Sequence, residues 1–206
     1  MSPLFKSLFE PAAVALVGAS ADRAKAASRP LRYLRKHGFG GAIHLVNPAR
    51  REIDGAPVFA SVRDIPGAVD HAFVMTPARE VARVLDDCIA AREPLVTVYS
   101  DGFADVGGEG VARQNALVAA ARTGGVRLLG PNSMGTISPI SGIALTVNTV
   151  MESVDLRRGS TALVSQSGSM IGSLLSRAQA RGHAFSRLVA VGNEADLGVE
   201  IGRAHV

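Results

Sequence analysis

Residues 13–20 have the sequence AVALVGAS, an apolar run (Ala13–Val17) that ends in a glycine turn. Continuous apolar runs of this length are typical of parallel strands covered on both faces of a sheet. Apolar runs of this kind alternate with helical patterns along residues 1–135. This alternation predicts right-handed βαβ units and an α/β fold, namely a Rossmann-like doubly wound parallel sheet. The later strands are Ile43–Val46, Ala72–Met75, Leu95–Tyr99 and Val126–Leu129, and the helices are Arg29–His37, Ala78–Arg92 and Gly110–Thr123.

Residues 136–159 interrupt this alternation. They are rich in Gly, Pro, Ser and Thr and have no helical period, which predicts an inter-domain connection with a hairpin. A strand at Thr161–Ser165, a helix at Ser169–Arg181 and a strand at Arg187–Val191 follow. We interpret residues 160–199 as the start of a second α/β domain, cut short before it can close a core.

Composition excludes several functional classes. The 206 residues contain no apolar run that approaches the roughly 18–20 residues of a membrane span, and Met1–Glu10 lacks the layout of a signal peptide. We therefore expect a cytoplasmic protein with no membrane partner. The single cysteine, Cys88, excludes an intrachain disulfide and a cysteine zinc cluster, and no metal site is predicted. The net charge of +4 is scattered, without an aromatic platform, so nucleic acid is not an expected partner.

The turns after the first two strands carry candidate nucleotide ligands. Gly18 and Ser20 lie where phosphates meet backbone N–H groups, although a full G-x-G-x-x-G fingerprint is missing. Asn47, Arg50 and Arg51 follow the second strand, where an NAD site has Asp or Glu. Two guanidinium groups attract a phosphorylated ribose, as in CoA or NADP. The alternatives are an ordinary βα turn and two solvated arginines.

Later strand ends supply further candidates. Pro77, Ser100 and Asn132 follow three strands at the same edge of the sheet, and Asn132 offers an amide donor and acceptor or caps a turn. The loop with Ser165, Ser167 and Gly168 joins a strand to a helix, whose first N–H groups favour phosphate or carboxylate. The alternative there is a simple serine N-cap.

Nine motifs in order resemble the α part of NDP-forming acyl-CoA synthetases, the superfamily of succinyl-CoA synthetase, over about residues 5 to 198. The opening resembles the acetate–CoA ligase (ADP-forming) branch. The motifs are Phe9-Glu10-Pro11, Val14–Ser20, Val46-Asn47-Pro48, Glu52-Ile53-x-Gly55, Pro77-Ala78, Ser100-x-Gly102-Phe103-Ala104, Gly130-Pro131-Asn132, Ser165-Gln166-Ser167-Gly168 and Gly192-Asn193-x-Ala195-Asp196.

The resemblance implies a CoA-binding domain over residues 1–135 and a partial succinyl-CoA-synthetase-like domain of flavodoxin-like fold over residues 160–199. The CoA residues would be Gly18, Ser20, Asn47, Arg50, Arg51, Pro77 and Ser100, with Asn132 near the thiol. Ser165, Ser167 and Gly168 would hold phosphate. The implied enzyme interconverts acyl-CoA, ADP and phosphate with acid, CoA and ATP.

In the implied enzyme a phosphohistidine beyond this chain carries the phosphoryl group. A β-type ATP-grasp region, in cis or as a separate subunit, supplies the ADP or ATP site with Mg²⁺. We therefore expect CoA or acyl-CoA as the ligand, no catalytic residue in these 206 residues, and no turnover by them alone. The alternatives are a CoA-binding regulatory module of a protein lysine acetyltransferase and an NADP-binding Rossmann oxidoreductase domain.

Three features depart from the family. The family has a glycine where this chain has Ala26-Ala27, which affects the shape of the phosphate loop. His183 precedes the last motif and is expected to be a buried or interfacial histidine rather than the nucleophile. Residues 200–206 match no motif and can be encoded by a common sequencing adapter, so we predict a non-native tail; a native helical continuation is the alternative.

Overall fold

The computed structural model describes residues 2–205, with side chains as far as Gly202. Its first sheet has seven strands in the order β3-β4-β2-β1-β5-β6-β7, and only β3 is antiparallel to its neighbour. Without β3, this is the strand order of a dinucleotide-binding Rossmann sheet, so the fold prediction is confirmed. The strands are β1 (Ala13–Val17), β2 (Ala42–Val46), β3 (Glu52–Ile53), β4 (Ala56–Phe59), β5 (His71–Val74), β6 (Leu95–Val98) and β7 (Arg127–Leu129).

Helices cover both faces of this sheet, which is why its strands are apolar on both sides. Helix α3 packs Val81, Val84 and Leu85 onto one face beside α4. Helix α2 packs Leu31 and Leu34 onto the other face. The helices are α1 (Pro3–Phe9), α2 (Arg29–Lys36), α3 (Ala78–Ala90), α4 (Gly108–Thr123), α5 (Val150–Ser153) and α6 (Gly168–Ala180).

The second sheet has four strands in the order β10-β11-β8-β9. The strands are β8 (Gly135–Ser138), β9 (Ile143–Thr146), β10 (Arg158–Ser165) and β11 (Phe185–Ala190). The stretch interpreted as an inter-domain connection therefore contains the predicted hairpin, β8–β9, and this hairpin pairs with β11 through Leu188 and Ile137. The two faces of the hairpin join different clusters, because Ile143 and Leu145 pack on the first sheet and Ile137 and Ala144 pack under α6.

The apolar face of α6 is only partly covered. Ile171 and Leu175 are buried with Leu188, whereas Met170 is 50% and Leu174 is 38% exposed. His183, in the turn after α6, is exposed, so it is not a buried histidine, and the alternative of an interfacial histidine stays a prediction.

Residues Val199–His205 form a 3₁₀ turn, and Ile201 packs against Phe5 and Val189. The predicted non-native tail at 200–206 lies partly outside the described residues and stays a prediction. Within the described residues, no helix is both long and apolar enough to cross a membrane.

Candidate functional site

A cavity of about 330 Å³ lies at the carboxyl edge of the first sheet. It opens between the ends of β1 and β5, where the strand order reverses and where ligands of doubly wound sheets bind. Three of the predicted residues, Gly18, Asn47 and Pro77, line it. The glycine turn and the strand ends thus lead to one cavity, and the role of these residues in binding a nucleotide stays a prediction.

Gly18 brings two loops into close approach at the floor of the cavity. Its φ is +84°, and an added Cβ would lie 3.1 Å from the carbonyl carbon of Met75 and 3.2 Å from Thr76 Cγ2. Only glycine fits this combination of positive φ and space. Beside it, Thr76 Oγ1 is buried and has no hydrogen-bond partner in the part of the chain that the structure describes. A buried hydroxyl of this kind is costly unless a ligand pairs with it.

Asn47 connects the loops that follow β1 and β2. Its Nδ2 donates to the carbonyl of Ala19 at 2.9 Å, and its Oδ1 accepts from the amide of Ala49 at 2.9 Å. Its side chain thus shapes the cavity wall through protein contacts of its own. Ser20 acts locally as well, since its Oγ accepts from the amide of Asp22 at 3.1 Å.

Arg50 and Arg51 extend from the loop that Asn47 organises. Both side chains are exposed, and neither has an ion pair or a side-chain hydrogen bond within the described residues. They do not line the cavity itself; the amide of Arg50 donates to the carbonyl of Asn47 at 3.2 Å. Two unpaired guanidinium groups next to the cavity are available for a phosphate at its mouth.

Besides Thr76, four polar residues of the cavity were missed at the sequence level. Ser61 follows β4, and Glu80, Arg83 and Asp87 project from one face of α3. Asp87 accepts from Ser61 Oγ at 3.0 Å and from Arg83 at 3.4 Å. The spacing of the three α3 residues, i, i+3 and i+7, was the available signal, because such residues share a helix face.

Ser100 and Asn132 lie along the same edge but outside this cavity. Ser100 Oγ donates to the carbonyl of Thr76, and the Ser100 carbonyl accepts from the amide of Asn132 at 3.0 Å. Asn132 has a φ of +56° and an exposed side chain, so its amide group is open to a ligand. The structure thus joins the turns after β5, β6 and β7 into one continuous wall.

The loop before α6 has the serine N-cap that the sequence predicts as one alternative, and an anion site there stays a prediction. Ser167 is the N-cap, with its Oγ accepting from the amide of Met170 at 3.3 Å. Ser165 Oγ accepts from the amide of Ser167 at 3.2 Å and donates to its carbonyl. The two hydroxyls therefore stabilise the loop, while the first amides of α6 lack intrahelical partners. At Gly168 an added Cβ would overlap the side chain of Met134, so the helix start packs directly on the loop after β7.

A second cleft, of about 600 Å³, separates α6 from the first sheet. Met134 and Asn148 line it from just before and just after the hairpin, Ser169 and Ser173 line it from α6, and Arg29 lines it from the start of α2. Arg29 donates to the carbonyl of Val147 at 3.2 Å and has no acidic partner within the described residues. The described residues contain no cluster of three or more His, Cys, Asp or Glu side chains that could hold a metal ion.

Comparison with known proteins agrees with this geometry. The profile of the CoA binding domain matches residues 12–139, and that of the succinyl-CoA ligase like flavodoxin domain matches residues 158–201. The chain is 36% identical over 190 residues to acetate–CoA ligase [ADP-forming] I of Archaeoglobus fulgidus, covering 92% of this chain and 27% of that protein. It is 35% identical to acetate–CoA ligase [ADP-forming] I subunit alpha of Pyrococcus furiosus, covering 93% and 42%.

Solved structures show the same likeness. The dinucleotide forming acetyl-coenzyme A synthetase 1 of Ca. Korarchaeum cryptofilum, in complex with phosphate and ADP, superposes with a TM-score of 0.89 and 34% identity. The match covers 96% of this chain and 41% of that chain. The chain thus spans less than half the length of each of these relatives.

Proposed function

This chain belongs to the CoA binding domain family, and we propose that it forms the CoA-binding part of an acid–CoA ligase of the ADP-forming type. The observation that carries the proposal is the cavity at the end of β1, with the close approach at Gly18 and the unpaired hydroxyl of Thr76. The hydroxyl can pair with a polar group of CoA. The exposed guanidinium groups of Arg50 and Arg51 lie beside the cavity, where they can bind the 3′-phosphate.

The rest of CoA would follow the wall that joins the turns after β5, β6 and β7. Pro77, Ser100 and Asn132 stand along this wall in that order. The hydrogen bonds of Ser100 with the Thr76 carbonyl and with the Asn132 amide keep the wall continuous. We place the thiol near the exposed amide of Asn132. This amide can donate to a thioester carbonyl and orient it.

The loop before α6 would hold the phosphate. Its first helical amides and the positive end of the helix dipole favour an oxyanion. Ser165 and Ser167 keep the loop in shape, and Gly168 lets it approach Met134. The second cleft lies between this loop and the first sheet and is lined by Met134 and Ser169, so it has a place for the acyl group and the acid.

In the full reaction, phosphate attacks the thioester carbonyl and releases CoA, and the acyl phosphate then passes its phosphoryl group through a histidine to ADP. The histidine, the ADP and Mg²⁺ sites, and an ATP-grasp region in cis or in a separate subunit, would come from outside these 206 residues. The name of the Pyrococcus furiosus relative, a subunit alpha, supports a division of this kind. The chain by itself would bind CoA without turnover.

Calorimetry with three nucleotides tests the proposal. The 206-residue chain should bind CoA about ten- to a hundredfold more tightly than dephospho-CoA, because a charge-assisted phosphate contact contributes about 1.5–3 kcal/mol. NADPH should bind more weakly than CoA, since it lacks the pantetheine arm that follows the Ser100–Asn132 wall. Equal affinity for NADPH and CoA would favour an oxidoreductase domain instead, and absence of CoA binding would refute the proposal.

A further inference from the structure

The segment from Gly192 to Asp196, named here the 192–196 segment, touches three loops of the proposed site although none of its residues lines either cavity described above. The amide of Gly192 donates to the carbonyl of Gln166 at 3.2 Å, in the loop before α6. The amide of Asn193 donates to the carbonyl of Pro131 at 2.8 Å, next to Asn132. The segment therefore bridges the two sides of the site through its backbone.

The side chain of Asn193 reaches the third loop, the turn after β6. Its Nδ2 donates to Asp105 Oδ1 at 2.9 Å and to Gln114 Oε1 at 3.1 Å, which uses both of its donors. Asp105 in turn accepts from the amides of Gly102 and Phe103 at 2.9 and 3.0 Å. Asn193 thus completes a network that fixes the loop directly after Ser100.

Charge and shape support the same contact. Burial acts to raise the pKa of Asp105, but the hydrogen bonds from Asn193 and from the amides of Gly102 and Phe103 outweigh it and lower the pKa, so the carboxylate is held in its charged form. Gly192 has a φ of +61°, and an added Cβ would lie 2.3 Å from the carbonyl oxygen of Pro131. The segment is consequently in direct backbone contact with the turn that carries Asn132.

The far end of the segment is anchored independently. Asp196 Oδ2 accepts from Arg127 Nε at 2.8 Å and from the amide of Leu128 at 2.9 Å, at the start of β7. The amide of Ala195 donates to the carbonyl of Gly130 at 3.2 Å. Asn193 therefore lies on a segment that is anchored at its far end, so it can couple the position of one loop to that of the other.

We propose that Asn193 is a positioning residue that holds the turn after β6 at a set distance from the loop before α6. What the two loops bind, CoA and phosphate, rests on the proposed function; the mechanical link between them does not. By fixing both loops on one short segment, Asn193 sets the span between the thioester and the phosphate that attacks it.

Hydrogen exchange of the chain without ligand tests the link. In Asn193→Ala the amides of Gly102 and Phe103, and that of Ser167, should exchange about two- to tenfold faster, the effect of one hydrogen bond. The matched control is Asn115→Ala, an exposed asparagine on α4, which should leave these amides unchanged. Unchanged exchange in either loop of Asn193→Ala would overturn the proposal.

A charge exchange separates hydrogen bonding from packing. Asn193→Asp should be worse than Asn193→Ala, because its carboxylate would face Asp105. Combining it with Asp105→Asn should restore slow exchange of the Gly102 and Ser167 amides, since the new amide at position 105 can donate to the new carboxylate at position 193 while its oxygen accepts from Gly102. The Phe103 amide should stay fast in this combination, because its acceptor atom is replaced by a donor. If Asn193→Asp and Asn193→Ala have equal effects and the double variant does not restore slow exchange, residue 193 acts only through packing and the proposal is refuted. CoA titrations of the unmodified chain judge the proposed function separately.

Discussion

Replacing Thr76 by valine separates the stability of the fold from the binding of CoA. The hydroxyl of Thr76 is buried at the cavity and has no partner within the described residues, although its carbonyl accepts from Ser100. Valine has nearly the same shape and lacks the hydroxyl. Because an unsatisfied buried hydroxyl costs about 1–3 kcal/mol, the variant should be more stable by about 1 kcal/mol. For a chain of this size that is a rise of about 2–4 °C in Tm.

The same change should weaken CoA binding. If the hydroxyl pairs with CoA, its loss removes one hydrogen bond, about 0.5–1.5 kcal/mol, which is a two- to twelvefold increase in Kd. Thermal unfolding and calorimetry measure the two effects on the same sample. A variant that is more stable and binds CoA less tightly would show that the hydroxyl of Thr76 serves ligand binding at a cost in the stability of the fold.

Thr136 provides the matched control. Its Oγ1 is also buried without a partner in the described part of the chain, but it lies on β8, outside both cavities. Thr136→Val should raise Tm by a similar amount and leave CoA affinity unchanged. If Thr76→Val and Thr136→Val bind CoA equally well, the hydroxyl of Thr76 does not contact the ligand and the reasoning for the cavity is wrong.

Three further predictions concern charge. In calorimetry, the Arg50→Ala, Arg51→Ala double variant should bind CoA about ten- to a hundredfold more weakly than the unmodified chain, but dephospho-CoA as tightly as the unmodified chain does. The exposed Arg63→Ala is the control and should bind both ligands normally. An equal loss of affinity for both ligands in the double variant would refute a 3′-phosphate contact. Burial raises the pKa of Glu93 from 4.5 to about 7, so the stability that Glu93 contributes is present below pH 4.5 and is lost as pH rises through 7. In urea unfolding, the unmodified chain should therefore lose about 3 kcal/mol more stability between pH 5 and pH 8 than Glu93→Gln loses over the same interval. Parallel pH profiles of the two proteins would contradict this. Burial lowers the pKa of His71 to about 3. Its Nδ1 donates to the Ser7 carbonyl and its Nε2 accepts from Thr97, so ¹⁵N NMR should show a single neutral tautomer down to pH 5. Protonation of the ring above pH 5 would disprove the assignment.

The sequence by itself determined five of the seven strands of the first sheet and the edge at which three candidate site residues meet. Strands and helices alternate with periodicities that are local properties, so the five predicted strands and three predicted helices of the first domain could be located to within about two residues. The short strands β3 (Glu52–Ile53) and β4 (Ala56–Phe59) were missed. The parallel arrangement follows from the chirality of βαβ units, and it brings Gly18, Asn47 and Pro77 to one edge without further information. Their residue types, glycine and small polar groups at strand ends, are visible in the sequence.

Only the tertiary structure decided which distant segments meet. Nothing local shows that the β8–β9 hairpin joins β11, or that Asn193 binds Asp105, 88 residues away. The spacing of Arg83 and Asp87 indicates a shared helix face, but not that this face reaches the cavity beside Ser61. Short strands in a Gly- and Thr-rich stretch have weak patterns, and an exposed helix face is polar whether or not a ligand lies against it. The sequence therefore specifies the elements, because their hydrophobic periods are local, whereas the partners of polar side chains depend on how those elements pack.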